Sequence, residues 1–240
     1  MRIIKRIIKY FIAYLNFIKD YARFKKANDG RFDVYWKNIK PLLFDKTPKI
    51  SFDTHYILHP AWAARILSQK KPEKHIDISS SLSFCSIVSA FIPIDFYDYR
   101  PANLKLSNLN SKKADLLNLP FSNESINSLS CMHTIEHIGL GRYGDPIDPN
   151  GDLKAISELI RVLAKDGNLL FVVPIGKPKV QFNAHRIYSY AQIIDYFKNL
   201  QLIEFSLIPD NAIETGIMVN ATQKQADEQN YGCGCFWFKK

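Results

Sequence analysis

The sequence predicts an α/β domain built on a mostly parallel sheet, preceded by a basic amphipathic helix. Two patterns predict it. From His75 onward, short apolar runs of strand length alternate with helical stretches, which argues for a parallel sheet covered on both faces. Ahead of them, the first 26 residues repeat apolar side chains at helical spacing. With 240 residues, 47% of them hydrophobic and 23% charged, the chain can fold one ordinary domain plus an appendage without staples.

The opening helix is expected over residues 1–27. At 100° per residue, Ile4, Ile7, Ile8, Phe11, Leu15, Ile18 and Ala22 share one face, and Lys5, Arg6, Lys9, Asp20 and Arg23 lie opposite. Lys9, Asn16 and Lys19 interrupt the apolar run, so it is too short to cross a bilayer, which needs about 20 apolar residues. No small-residue cleavage site follows, so a signal peptide is not expected. Two uses remain open: packing on protein, or lying on an anionic membrane surface through residues 1–26. The net charge of +9 concentrates here. Arg2, Lys5, Arg6, Lys9, Lys19, Arg23, Lys25 and Lys26 stand against Asp20 alone, a net of +7, and the remaining 24 basic and 22 acidic residues leave +2. A nearly neutral body excludes a general nucleic-acid surface.

Residues 28–72 hold Pro41, Pro48 and Pro60 among Trp, Phe and His, and predict short helices and turns, a cap segment. The main domain is expected over 73–240. Strands are predicted at 75–78, 94–97, 126–132, 168–173, 202–208 and 235–238, with a short element ending near Asp115. Helices are predicted at 83–91, 153–163 and 190–197, and Asp166-Gly167 as the turn into a strand. Four scattered cysteines, Cys85, Cys131, Cys233 and Cys235, suggest free thiols in a reducing, cytoplasmic setting. Cys233 and Cys235 have one residue between them, which is not the usual zinc spacing, and no metal site is expected.

The most specific run is Leu119-Pro120-Phe121, then Ile126–Ser130, Ile135-Glu136-His137, Glu158-Leu159-Ile160-Arg161-Val162-Leu163 and Gly167-Asn168-Leu169. These blocks, in this order, resemble the fourth-strand to fifth-strand region of class I S-adenosylmethionine-dependent methyltransferases. Further blocks, Phe52–Tyr56, His75–Ser80, Asp98–Pro101, His137–Pro146 and Phe182–Arg186, are similar to an uncharacterised domain-of-unknown-function family grouped with those enzymes. The resemblance implies a Rossmann-like sheet with an antiparallel last strand and S-adenosyl-L-methionine as cofactor. The acceptor it implies is an oxygen or nitrogen of a small molecule or sugar, with the glycans of bacterial surface polysaccharide as the favoured class; the cationic helix would set the protein on the inner face of the cytoplasmic membrane.

On that resemblance, the cofactor lies outside the carboxyl ends of the strands. Asp77, Ser79 and Ser81 then stand where the enzymes carry an acid and a glycine-rich loop, so serines replace glycines here. Asp98 would accept the ribose hydroxyls, and Asp115 with Leu116 would meet the adenine. The Gly- and Pro-rich loop 139–151 would overhang the reacting methyl, with Arg142, Tyr143 and Arg186 for the substrate. His133, His185 and Asp145 are the catalytic candidates, and His137 is expected to be structural.

Two other readings compete. His133-Thr134-Ile135-Glu136-His137 spells H-x-x-E-H, a zinc signature of inverted-motif metallopeptidases, with Glu214 as a third ligand. Its position directly after a predicted strand and before Gly139 argues against a helix that could present it. The serine-substituted loop and the cationic helix favour instead a non-catalytic binding protein at a membrane.

Overall fold

The computed structural model describes residues 2–240, and Met1 lies outside the described residues. The chain forms two compact units, residues 1–52 and 53–240. In the first, helix α1 (Arg2–Ala27) carries Tyr10 against Phe44, with ring centroids 4.7 Å apart. Tyr21 meets Trp36 edge-on at 5.2 Å, and Lys46 pairs with Asp20. Ile3, Ile4, Ile7 and Phe11 are exposed. Among the described residues no helix is long and apolar enough to cross a membrane.

The second unit opens with α2 (Thr54–Lys70), capped by Asp53, whose carboxylate accepts the amides of His55 and Tyr56. The sequence predicts only short helices and turns here. An interior proline such as Pro60 costs a helix about 3 kcal/mol, but α2 buries Trp62, Ala63, Ile66 and Leu67. Burying each large side chain contributes about 1.5–3 kcal/mol, so packing wins. One 17-residue helix thus stands in the second half of segment 28–72, where short helices and turns were expected.

Strand β1 (His75–Ile78) is followed by α3 (Leu82–Val88), β2 (Ile94–Asp98), β3 (Leu109–Lys113) and β4 (Ile126–Met132). Helix α4 (Gly151–Val162) leads into β5 (Leu163–Ile175), which starts five residues before the predicted strand. Asp166-Gly167 is not a turn ahead of β5 but a bulge within it: Ile126 pairs with Leu163, and Ser128 with Asn168. A hairpin of β6 (Lys179–Gln181) and β7 (His185–Ile187) comes next and was not expected from the sequence. The chain ends in α5 (Tyr190–Tyr196), β8 (Gln201–Ile208), α6 (Ala212–Thr215), α7 (Gln223–Asp227) and β9 (Gly232–Lys239).

The seven-stranded sheet runs β3-β2-β1-β4-β5-β9-β8. Its first five strands are parallel, and β9 lies antiparallel between β5 and β8. Strand β5 is buried on both faces: Phe171 and Val173 enter one core with Leu159, Phe197 and Phe236, while Leu170 and Val172 enter the other with Trp62 and Phe84. That double burial is what a central parallel strand requires. Strand order reverses between β1 and β4, so a crevice opens outside their carboxyl ends, where ligands settle in open α/β sheets.

Candidate active site

The crevice is a cavity of 390 Å³ walled by Ser79 and Ser80 after β1, Asp98 after β2, Asp115 and Leu116 after β3, and His133 after β4. The β1 turn is held by its serines. Ser79 adopts φ 55, a conformation that glycine takes freely and other residues rarely. Its amide donates to the Tyr97 carbonyl at 2.7 Å, its hydroxyl reaches the same oxygen at 3.3 Å, and its carbonyl accepts from the Thr134 hydroxyl at 2.8 Å. Ser80 donates its amide to Asp77 at 3.0 Å and accepts the Met132 amide on its hydroxyl at 2.9 Å. Asp98 accepts the Arg100 amide at 2.7 Å, and Asp115 the Leu117 amide at 2.9 Å. Each carboxylate is thus fixed by a turn it closes.

Asp77 and Ser81 do not line the cavity, which corrects their expected place in it. Ser81 is the N-cap residue of α3. Asp77 is wholly buried and receives the Ser130 hydroxyl; burial pushes its carboxyl up to about 6. Ser130 in turn lies 2.8 Å from Nε2 of buried His75, and Ser128 2.7 Å from its Nδ1. Because Ser130 gives its only proton to Asp77, His75 donates through Nε2 and accepts the Ser128 hydroxyl at Nδ1. Ser80, quoted in the sequence block His75–Ser80 but given no role there, lines the cavity where Ser81 was expected.

A second, more polar cavity of 470 Å³ is walled by Glu136, Arg142, Asn183, His185 and Tyr231. Tyr56, His133, His137 and Tyr143 line both cavities. His133, also at positive φ (55°), sets Nδ1 2.7 Å from Oε1 of Glu136, with both side chains buried. Burial raises the Glu136 carboxyl, but His133 and His137 beside it hold it below its ordinary value. His137 donates Nδ1 to the Ala184 carbonyl at 2.6 Å, which ties the β4 exit to the β6–β7 hairpin. Burial depresses the His185 imidazole, and its Nε2 is buried without a partner.

The overhanging loop is braced rather than loose. Asp145 accepts the amides of Gly139 at 2.7 Å, Gly141 at 3.3 Å and Tyr143 at 3.2 Å. Its carboxylate borders the first cavity but is engaged in holding the loop, not placed as a free base. Arg186 is buried and lines neither cavity. It donates to the carbonyls of Ile138 at 2.7 Å and Pro149 at 3.2 Å, and meets Asp152 at 3.4 Å. A substrate contact by Arg186 is therefore corrected to a brace beneath the loop. The H-x-x-E-H run is not helical: only a 3-10 turn, Ile135–His137, follows His133. Glu214 is exposed on α6, so the metallopeptidase arrangement is missing.

Residues 112–231, half of the 240-residue chain, match the family described as "Caenorhabditis protein of unknown function, DUF268". The chain belongs to this family. The DUF268 segment holds every residue of the polar cavity except Tyr56, and leaves β1 and β2 outside. No curated protein matches the chain.

Solved structures show the fold. The N-methyltransferase NodS of Bradyrhizobium japonicum, bound to S-adenosyl-L-homocysteine, is 14% identical with a TM-score of 0.53, covering 92% of this chain and 97% of its own. The 1,6-didemethyltoxoflavin-N1-methyltransferase of Burkholderia thailandensis, with bound 1,6-didemethyltoxoflavin and S-adenosylhomocysteine, is 9% identical with a TM-score of 0.54, covering 76% of this chain and 78% of its own. The cyclase SpnF is 10% identical with a TM-score of 0.50, covering 75% and 80%. This DUF268 chain therefore has the class I methyltransferase fold, a fold that also serves a cyclase.

Tyr56, Tyr231, Ser80 and Asn183 were not singled out by sequence reasoning. Tyr56, Ser80 and Asn183 lie within the quoted blocks Phe52–Tyr56, His75–Ser80 and Phe182–Arg186, so those blocks were a usable signal. Tyr231 carried none.

Proposed function

We propose that the chain transfers a methyl group from S-adenosyl-L-methionine to an oxygen or nitrogen of a sugar or other polar small molecule. One observation carries the reading: the β1 turn, Asp98 and Asp115-Leu116 converge on one cavity at the switch point between β1 and β4. A carboxylate at the end of β2 suits a vicinal diol, and the left-handed Ser79 reproduces with a serine the backbone path for which glycines are expected. The adjoining polar cavity, with tyrosine, imidazole, amide and guanidinium groups, suits a polar acceptor. His185 lines that cavity, and burial depresses its imidazole and keeps it neutral at pH 7; in this reading it takes the acceptor's proton. Orientation of acceptor and methyl group across the shared wall supplies the rest.

Calorimetric titration with S-adenosylmethionine and S-adenosylhomocysteine tests this. Micromolar binding that weakens at least about tenfold, roughly 1.4 kcal/mol, in Asp98→Ala is expected. A folded protein that binds neither would overturn the reading. Binding without any methyl transfer to an acceptor panel would favour the non-catalytic alternative.

We further propose that α1 rests on an anionic lipid surface. Exposed Ile3, Ile4, Ile7 and Phe11 support it, as does the charge of +7 in residues 1–26, since each basic residue near such a surface contributes about 1 kcal/mol. Co-sedimentation with phosphatidylserine vesicles, lost on deleting residues 1–26, is expected. Absence of binding by the intact chain would assign the helix to a protein partner.

A further inference from the structure

Below the polar cavity, His55 on the first turn of α2, His133 at the β4 exit and Cys233 at the start of β9 bring one donor atom each within 4.8 Å of one another. All three side chains are buried, and Cys233 is a free thiol. The hydrogen bonding around them leaves lone pairs with nothing to do. His133 donates Nδ1–H to Glu136, which leaves Nε2 as an acceptor, and that nitrogen is buried without a partner. His59 donates Nδ1–H to the His55 carbonyl at 2.6 Å, and its Nε2 is likewise buried and unpartnered. Oε2 of Glu136 and Nε2 of His185 are buried without partners as well. Buried polar atoms almost always find partners, and the unpartnered Nε2 of His133, inside a cluster of three metal-ligating side chains, calls for an explanation such as a bound ion.

We propose that His55, His133 and Cys233 bind a divalent transition-metal ion of the zinc class. Two imidazole nitrogens and one sulfur form a donor set that such an ion prefers. Glu136 stands behind His133 as the carboxylate that orients a metal-bound imidazole and increases its basicity. The Cys233 thiolate and the Glu136 carboxylate together balance the ion's two positive charges, which permits it to be buried. Zinc–ligand bonds of about 2.0–2.3 Å make tetrahedral edges of roughly 3.3–3.8 Å, so donor atoms within 4.8 Å of one another need close by no more than about 1.5 Å on binding. Three protein ligands leave one coordination position. Of the three ligands, His133 borders both cavities, and His55 and Cys233 border neither.

Cobalt(II) titration of the full chain, after chelator treatment, tests the site without reference to methyl transfer. Expected are one ion per chain, the visible bands of a tetrahedral site and a near-ultraviolet sulfur-to-cobalt charge-transfer band. That band disappears in Cys233→Ser and persists in Cys235→Ser, the neighbouring thiol outside the donor set. Zinc competition should show affinity reduced about 100-fold or more in His55→Ala and in His133→Ala, each checked for cooperative unfolding. If a variant fails to fold, the wild-type band and a zinc-induced rise in the unfolding midpoint decide the matter. Absence of a charge-transfer band in the wild type, or its survival in Cys233→Ser, would overturn the proposal.

Discussion

The hydroxyl of Ser80 accepts the backbone amide of Met132 at 2.9 Å, so the turn after β1 is stitched to the end of β4 by a side chain. Beside it, Ser79 holds φ 55, which costs a non-glycine residue about 1 kcal/mol or more. The two serines are therefore unequal. Ser79→Gly relieves backbone strain and gives up only a 3.3 Å hydroxyl contact. It should leave the unfolding free energy within about 1 kcal/mol of wild type, with S-adenosylhomocysteine affinity retained. Ser80→Gly leaves the Met132 amide unpaired at a buried strand end and should destabilise by about 1–3 kcal/mol. Urea unfolding of both variants checks the order; equal losses would mean that the hydroxyl of Ser80 contributes nothing.

The overhanging loop depends on a glycine and an arginine. Gly139 has φ 80, and a Cβ there would overlap the carbonyl oxygen of Asp148, so Gly139→Ala must move the loop. Arg186→Gln leaves buried Asp152 with the Tyr188 hydroxyl, 2.9 Å away, and no cation. A loss of about 2–3 kcal/mol is expected, toward the lower end for a broken buried pair because the ions lie 3.4 Å apart. Proteolysis within residues 139–149 should accelerate in both variants; unchanged cleavage would show that the brace is dispensable.

If His185 takes the acceptor's proton, His185→Ala should lower kcat by about 10²–10⁴ while S-adenosylhomocysteine binds as before. The base must be neutral to act. Burial depresses its imidazole, so activity should persist on the acid side of pH 6.5 rather than fall there. A wild-type profile whose activity falls on acidification with a midpoint at or above pH 6.5, or a variant with unchanged kcat, would count against this role.

Strands β1, β2, β4 and β8 were legible because each is a short apolar run between turn residues, and β4 matches its predicted bounds, Ile126–Met132; the polar β6–β7 hairpin carried no such run. Asp98, Asp115 and Leu116 were legible as acids and a neighbour at strand ends. Asp77 and Arg186 were misplaced for a shared reason: a charged residue near a loop signals a site, yet its partners, Ser130 and Asp152, are 53 and 34 positions away. Helix α2 hid behind Pro60, since its stabilisation comes from tertiary burial and not from local propensity. The cluster of His55, His133 and Cys233 draws on α2, β4 and β9, and no spacing rule joins residues so far apart.

Asp77 and His75 meet through Ser130, and their protonation opposes one another in acid. Burial lowers His75 from 6.5 to about 3, so below pH 6.5 the unfolded chain takes up a proton that the folded chain refuses. Stability falls with pH by about 1.4 kcal/mol per unit on this account. Burial raises Asp77 from 3.8 to about 6, so from pH 6 down to 3.8 the folded chain binds the extra proton and stability rises by a similar slope. The two contributions nearly cancel between pH 6 and 4. Asp77→Asn removes the second and retains a polar partner for Ser80 and Ser130. Its stability should therefore decline more steeply than that of wild type across that window, by up to about 3 kcal/mol at pH 4, while at pH 8 the variant is as stable or more so. Urea unfolding at half-unit pH steps measures this, and parallel curves for the two proteins would show that Asp77 titrates normally despite its burial.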